Sequence, residues 1–233
     1  MPTILYIESS TLTCSVAISR NAEILALKES YDQSYAHSEK LVTYIDEAIK
    51  QAGLKPSDLE AVCVSKGPGS YTGLRIGVSA AKGLCYGLGI PLLSVGSLEA
   101  MTQLAKTNFG NALSDVSFLC PMIDARRMEV YMQLFDAGLN QLQSVSAEII
   151  DEQSFSSELE KGKVAFFGDG AAKCKEIIQH PNAVFLDDFK TSASGMIALA
   201  EAKFSNQQFE DVAYFEPYYL KDFVAGKPKK MFL

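Results

Sequence analysis

Three strand-like segments followed by alternating helices and strands occur twice along this chain, and that order confines it to folds made of two α/β lobes. In the first half, residues 3–8, 13–19 and 23–29 are apolar runs joined by short polar turns, the pattern of an antiparallel meander. A helix starts near Ser38, with Leu41, Ile45, Ala48 and Ala52 at i, i+4, i+7 and i+11, and Val42, Tyr44 and Ile49 widening the stripe. A buried strand over 61–65, a glycine-rich loop, a helix over 73–87 and a strand over 91–95 complete a β-β-β-α-β-α-β order. After an Asn/Gly/Ser-rich break at 108–115, strands over 118–123, 129–135 and 141–149 restart the plan. They lead into a helix over 155–161, a strand over 164–167, a helix over 172–179, a strand over 183–186 and a helix over 194–204. The pattern divides the chain into an N-terminal lobe over 1–107, a C-terminal lobe over 108–213 and an extended tail over 214–233 that carries Lys221, Lys227, Lys229 and Lys230.

Composition narrows the function classes. At 233 residues and 48% hydrophobic, the chain can fill one large core or two smaller ones. It has no basic leader and no run approaching the ~20 apolar residues of a membrane span, so a cytoplasmic protein with no membrane partner is expected. The five cysteines, Cys14, Cys63, Cys85, Cys120 and Cys174, are odd in number and scattered among apolar segments, which suits reduced core residues. A net charge of -7 argues against a broad phosphate-binding surface, because nucleic-acid affinity rests on Lys and Arg displacing counterions.

The sequence Lys66-Gly67-Pro68-Gly69-Ser70-Tyr71-Thr72-Gly73-Leu74-Arg75-Ile76-Gly77 follows a strand and opens a helix, where backbone N–H groups could hold a phosphate. No Gly-Lys-Ser/Thr closes it and the G-x-G-x-x-G spacing is absent, so on physics alone a structural turn is favoured. The two histidines, His37 and His180, form no pair on one helix face; a capping or packing role and a loop position suit them.

This stretch resembles the G-P-G-S-F-T-G-L-R-I-G signature of the TsaB (YeaZ) family, with Tyr71 where Phe is usual. Further matches at residues 95–101, 123–131 and 216–220 extend the resemblance over the whole chain. It implies two RNase-H-like lobes of the acetate-kinase, sugar-kinase, Hsp70 and actin class. It also implies a non-catalytic scaffold in threonylcarbamoylation of the tRNA adenosine beside the anticodon, bound to the TsaD transferase and supporting the TsaE ATPase, with tRNA engaged through the complex. In TsaD the segment matching residues 95–101 carries H-x-E-G-H, whose two histidines bind a metal; here Ser97 and Met101 occupy those positions and only Glu99 persists. No catalytic residue, metal or required cofactor is therefore expected, and weak ATP or ADP binding only in the complex. The rivals are an actin-like-fold kinase or ATPase acting alone and a metal-dependent peptidase, whose ligands the chain lacks.

Within that resemblance, Glu8, Ser9 and Ser10 stand where relatives carry Asp-Thr-Ser in the phosphate-cradling first turn, and the extra methylene of Glu8 displaces the carboxylate. Gly168, Asp169 and Gly170 have the form of an adenosine-side loop, or equally of a plain strand-to-helix turn. Together they mark a degenerate nucleotide cleft. For the partner, the helix over 73–87 is small or apolar nearly all round, with Gly73, Gly77, Ala80, Leu84 and Gly87 on one stripe. Leu74, Val78, Ala81 and Lys82, with Leu41 and Ile45, are the expected contacts in a four-helix interface with TsaD; homodimerisation in the absence of TsaD is the open alternative. On that expectation, Ala81→Glu or Val78→Glu abolishes TsaD binding and leaves the fold intact, whereas unfolding would make the helix part of the chain's own core.

Overall fold

The computed structural model, which describes residues 2–31 and 37–221, is built on two five-stranded mixed sheets. β1 (Thr3–Glu8), β2 (Thr13–Arg20) and β3 (Glu23–Tyr31) form the expected meander. β4 (Ala61–Ser65) and β5 (Leu92–Val95) add in parallel, giving the order β3-β2-β1-β4-β5. The second sheet comprises β6 (Phe118–Asp124), β7 (Glu129–Asp136), β8 (Gln141–Ile149), β9 (Val164–Phe167) and β10 (Ala183–Leu186). Its order, β10-β9-β6-β7-β8, is the first arrangement read from the other edge, so each sheet has the RNase-H-like topology.

The central strand β1 is buried along its whole length because both of its faces are covered. Leu5 and Ile7 point into a cluster with Leu41, Ile45 and Ala48 of α1 (His37–Gln51) and Val78, Ala81 and Cys85 of α2 (Tyr71–Leu88). Ile4 and Tyr6 point the other way, onto Ala193 and Met196 of a 3-10 turn and Ile197 and Ala200 of α5 (Ile197–Ser205). The last helix, which follows the second sheet in sequence, thus packs on the first. Conversely α3 (Ser97–Asn108), which follows the first sheet, lays Leu98, Met101, Leu104 and Ala105 against Leu119, Ile123 and Phe167 of the second. The two crossing elements meet closely: a Cβ on Gly195 would sit 2.4 Å from the Ala100 carbonyl oxygen. On the remaining face of the second sheet, Cys120 and Met122 pack with Leu159 of α4 (Ser156–Lys161) and with Cys174 and Ile178.

Over residues 172–179 the expected helix is only a 3-10 turn, Ala172–Cys174, followed by turns closed by bonds from the Ile177 and Ile178 amides to the Cys174 carbonyl. All five cysteines are buried, and none forms a disulfide. Among the described residues no helix is long and apolar enough to cross a membrane. Residues 216–221 carry neither helix nor strand, while Lys227, Lys229 and Lys230 and the side chain of His37 lie outside the described residues.

Candidate functional site

The turn between β1 and β2 is sealed by the chain itself. Glu8, Ser9 and Ser10 are at most 1% exposed, and Glu8 Oε1 accepts hydrogen bonds from the Ser10 amide (2.6 Å) and Ser65 Oγ (3.0 Å). The glycine-rich loop closes over it: the Ser70 amide donates to the Ser10 carbonyl at 2.6 Å. A Cβ on Gly69 would fall 2.2 Å from Ser10 O, one on Gly73 2.1 Å from Ser9 O, and one on Gly77 2.2 Å from Ser9 Oγ. These glycines exist so that α2 and its leading loop can lie directly on the turn. The helix N-terminus is capped by Ser70, whose Oγ accepts from the Gly73 amide at 3.2 Å. Of the two readings of the motif, the structural turn is the one the geometry takes.

Burial holds the Glu8 carboxyl above its ordinary value, against the opposing hydrogen bonds from Ser10 and Ser65. A raised value means that the folded chain keeps a proton the unfolded chain has released. The stability linked to Glu8 is therefore full below the unfolded value, about pH 4.3, and is lost as pH rises through the folded one. Glu8→Gln retains an acceptor for both donors. It is expected to melt at the same temperature or higher at about pH 7.5, with a flatter melting profile above about pH 5. A variant that melts lower at the alkaline end and declines more steeply would refute this.

Beside the sealed turn lies a cavity of about 220 Å³, lined by Thr11, Leu12, Tyr31, Asp169, Phe189 and Lys190 among others. Gly168 and Asp169 of the second loop reach it, whereas Glu8, Ser9, Ser10 and Gly170 do not. Its floor is tied by a 2.7 Å hydrogen bond between the hydroxyls of Thr11 and Thr191. Lys190 is drawn over the Tyr31 ring, 4.5 Å from its centre. Asp169 accepts from the Asp124 amide at 3.0 Å, so it braces the end of β6 and does not cap a helix; its residue surface is still exposed, but crowding around the carboxyl, with the Asp124 charge adding to it, holds it above the ordinary value. A second, polar cavity of about 460 Å³ opens between Lys66, Glu99, Gln133, Glu210 and Tyr218.

The two positions that match metal-binding histidines are both interior. Ser97 is fully buried with its amide on the Gly67 carbonyl (3.0 Å), and Met101 is 1% exposed in the core of the second sheet. Glu99 caps its own helix, Oε2 accepting from the Gly96 amide at 3.2 Å. No group of three or more His, Cys, Asp and Glu arranged to hold a metal exists among the described residues.

The helix face expected to meet a partner is corrected by burial. Leu41, Ile45, Leu74, Val78 and Ala81 are all at most 6% exposed, turned into the chain's own core, so their side chains cannot reach another protein. Lys82 donates to the carbonyls of Ala213 (3.0 Å) and Phe215 (2.9 Å), fastening the segment after α5 along α2. The outward residues of α2 are Thr72, Arg75, Ser79, Gly83, Tyr86 and Gly87, of which the expected stripe held Gly87 alone. A Cβ at Gly83 or Gly87 would meet nothing within 4 Å, Tyr86 is 87% exposed, and Val42 on neighbouring α1 is 69% exposed. Gly83, a helix-weakening residue in mid-helix with no packing reason among the described residues, was the available signal.

Residues 31–229 match the family described as TsaD, tRNA N6-adenosine threonylcarbamoyltransferase. The tRNA threonylcarbamoyladenosine biosynthesis protein TsaB of Haemophilus influenzae is 26% identical over 97% of this chain and 96% of its own length. Its namesake in Bacillus subtilis is 36% identical over 57% of this chain and 55% of its own length. A solved Pseudomonas aeruginosa structure, described as an uncharacterized protein with similarity to peptidase YeaZ, shares the fold with a TM-score of 0.81 at 24% identity, covering 95% of this chain and 100% of that one.

Proposed function

The chain belongs to the TsaB (YeaZ) family within the threonylcarbamoyltransferase group, which places it in tRNA threonylcarbamoyladenosine biosynthesis, and we propose that it acts there as a non-catalytic subunit. In this reading it docks on the TsaD transferase and, with the TsaE ATPase, supports transfer of threonylcarbamoyl to the adenosine beside the anticodon. The chemistry resides on the partner. Ser97 and Met101 offer no imidazole where the transferase family has its histidine pair, and the sealed first turn leaves no open cradle for phosphates, which speaks against a kinase acting alone. ATP or ADP is expected to bind weakly and only in the complex.

The observation that carries the docking is the unoccupied stripe of α2. A mid-helix glycine costs about 1 kcal/mol relative to alanine, and at Gly83 no contact among the described residues offsets it. A partner helix approaching over Gly83 and Gly87, flanked by Tyr86 and Val42, would use the absent side chains and bury about 800 Å² on each side. Without TsaD the same face suits a second copy of this chain. Gly83→Arg, placed in open space, is expected to fold normally and to abolish co-purification with TsaD. A folded Gly83→Arg that binds TsaD unchanged moves the docking face elsewhere.

A further inference from the structure

The chain has four arginines, and their surroundings divide them into two kinds. Arg20 donates from Nε to Thr3 Oγ1 at 2.9 Å, and the Arg75 guanidinium lies 5.0 Å from the centre of the Tyr71 ring. Arg126 and Arg127 are adjacent, exposed at the tip of the β6–β7 hairpin, and among the described residues neither guanidinium has a hydrogen-bond or ion-pair partner. Both backbones are left-handed, with φ of 74° and 51°, a region that L side chains enter at a cost.

The tip is braced from below. The Arg126 amide donates to Asp124 Oδ1 (2.8 Å), and Lys173 donates to the carbonyls of Arg127 (2.8 Å) and Glu129 (2.7 Å) while pairing with Asp124. Lys221 pairs with Glu129, and Asp169 accepts from the Asp124 amide. Asp124, Glu129 and Asp169 are therefore engaged, and the two guanidiniums remain unpaired among the described residues on a chain of net charge -7.

We propose that the Arg126–Arg127 tip contacts the phosphate backbone of the RNA substrate, each guanidinium meeting one phosphate. This rests on the tRNA-modification reading above. Guanidinium forks match phosphate oxygens, and a projecting tip can meet a line of phosphates one at a time, whereas a protein partner needs a closed patch that excludes water. Such a contact adds position and a little affinity, leaving most RNA binding to the complex.

Fluorescence anisotropy of the full chain with a tRNA transcript at low salt tests it. Arg126→Ala/Arg127→Ala is expected to weaken binding about tenfold and to lower the slope of log K against log salt by about two. Arg126→Lys/Arg127→Lys keeps most of that slope. Arg126→Gly/Arg127→Gly relieves the left-handed strain, so it should melt no lower than the parent yet bind as weakly as the alanine pair. A purely structural role requires the opposite, a glycine pair that binds like the parent. The proposal is overturned if the alanine pair binds RNA with unchanged affinity and slope, or if the parent shows no RNA binding at low salt. It also fails if the alanine pair loses TsaD while RNA binding stands, which assigns the tip to protein contact. Threonylcarbamoyladenosine that falls on depletion of the chain, with RNA binding indifferent to the tip, sinks this inference alone.

Discussion

Ala81→Glu is expected to leave no folded protein. Ala81 is fully buried beside α1 and the first sheet, in a cluster with Leu5, Ile7, Val62 and Val64. A glutamate there overfills a packed core, at about 1–3 kcal/mol, and strands a carboxylate that must remain uncharged or unpaired, at several more. Against a total stability of about 5–15 kcal/mol, the sum is ruinous. Val78→Glu, at a position 4% exposed, should fail in the same way. Circular dichroism decides: a cooperative melt near the parental temperature for Ala81→Glu would mean that α2 does not pack as described.

Alanine substitutions along α2 are expected to change sign with position. Gly73→Ala places a methyl 2.1 Å from the Ser9 carbonyl oxygen, a backbone atom in the sealed turn that cannot swing aside. Loss of several kcal/mol or of the fold follows. Gly77→Ala meets Ser9 Oγ at 2.2 Å inside the same buried turn and should also destabilise strongly. Gly83→Ala meets nothing and gains up to about 1 kcal/mol from helix propensity. Thermal melts of the three variants should therefore place Gly83→Ala above the parent and the other two well below it; equal shifts would contradict the assigned roles.

The strands were legible because β1, β4 and β6 are continuous apolar runs and their neighbours are bounded by short polar turns; each lies within about two residues of its expected place. The doubled strand order followed directly. The exchange of α3 and α5 between sheets was not legible, since an apolar stripe records that a helix is covered but not by which sheet. The orientation of α2 was hidden for a related reason. Its outward side is marked only by the widely spaced Thr72, Arg75, Ser79 and Tyr86 with glycines between them, too weak a polar face to orient the helix, so Val78 and Ala81 read as surface contacts when they are core. Gly77 and Gly83 are the same letter with opposite surroundings, one against Ser9 and one against open space. The cavity beside Tyr31 and Lys190 brings together residues far apart in sequence, and no local pattern marks it.

Nucleoside mass spectrometry of bulk tRNA from cells depleted of the protein shows whether this chain is required for making threonylcarbamoyladenosine. The modified nucleoside should fall toward background on depletion and return with the parental chain but not with Gly83→Arg. Threonylcarbamoyladenosine that stays at its normal level in depleted cells would mean that the chain is not required for the modification.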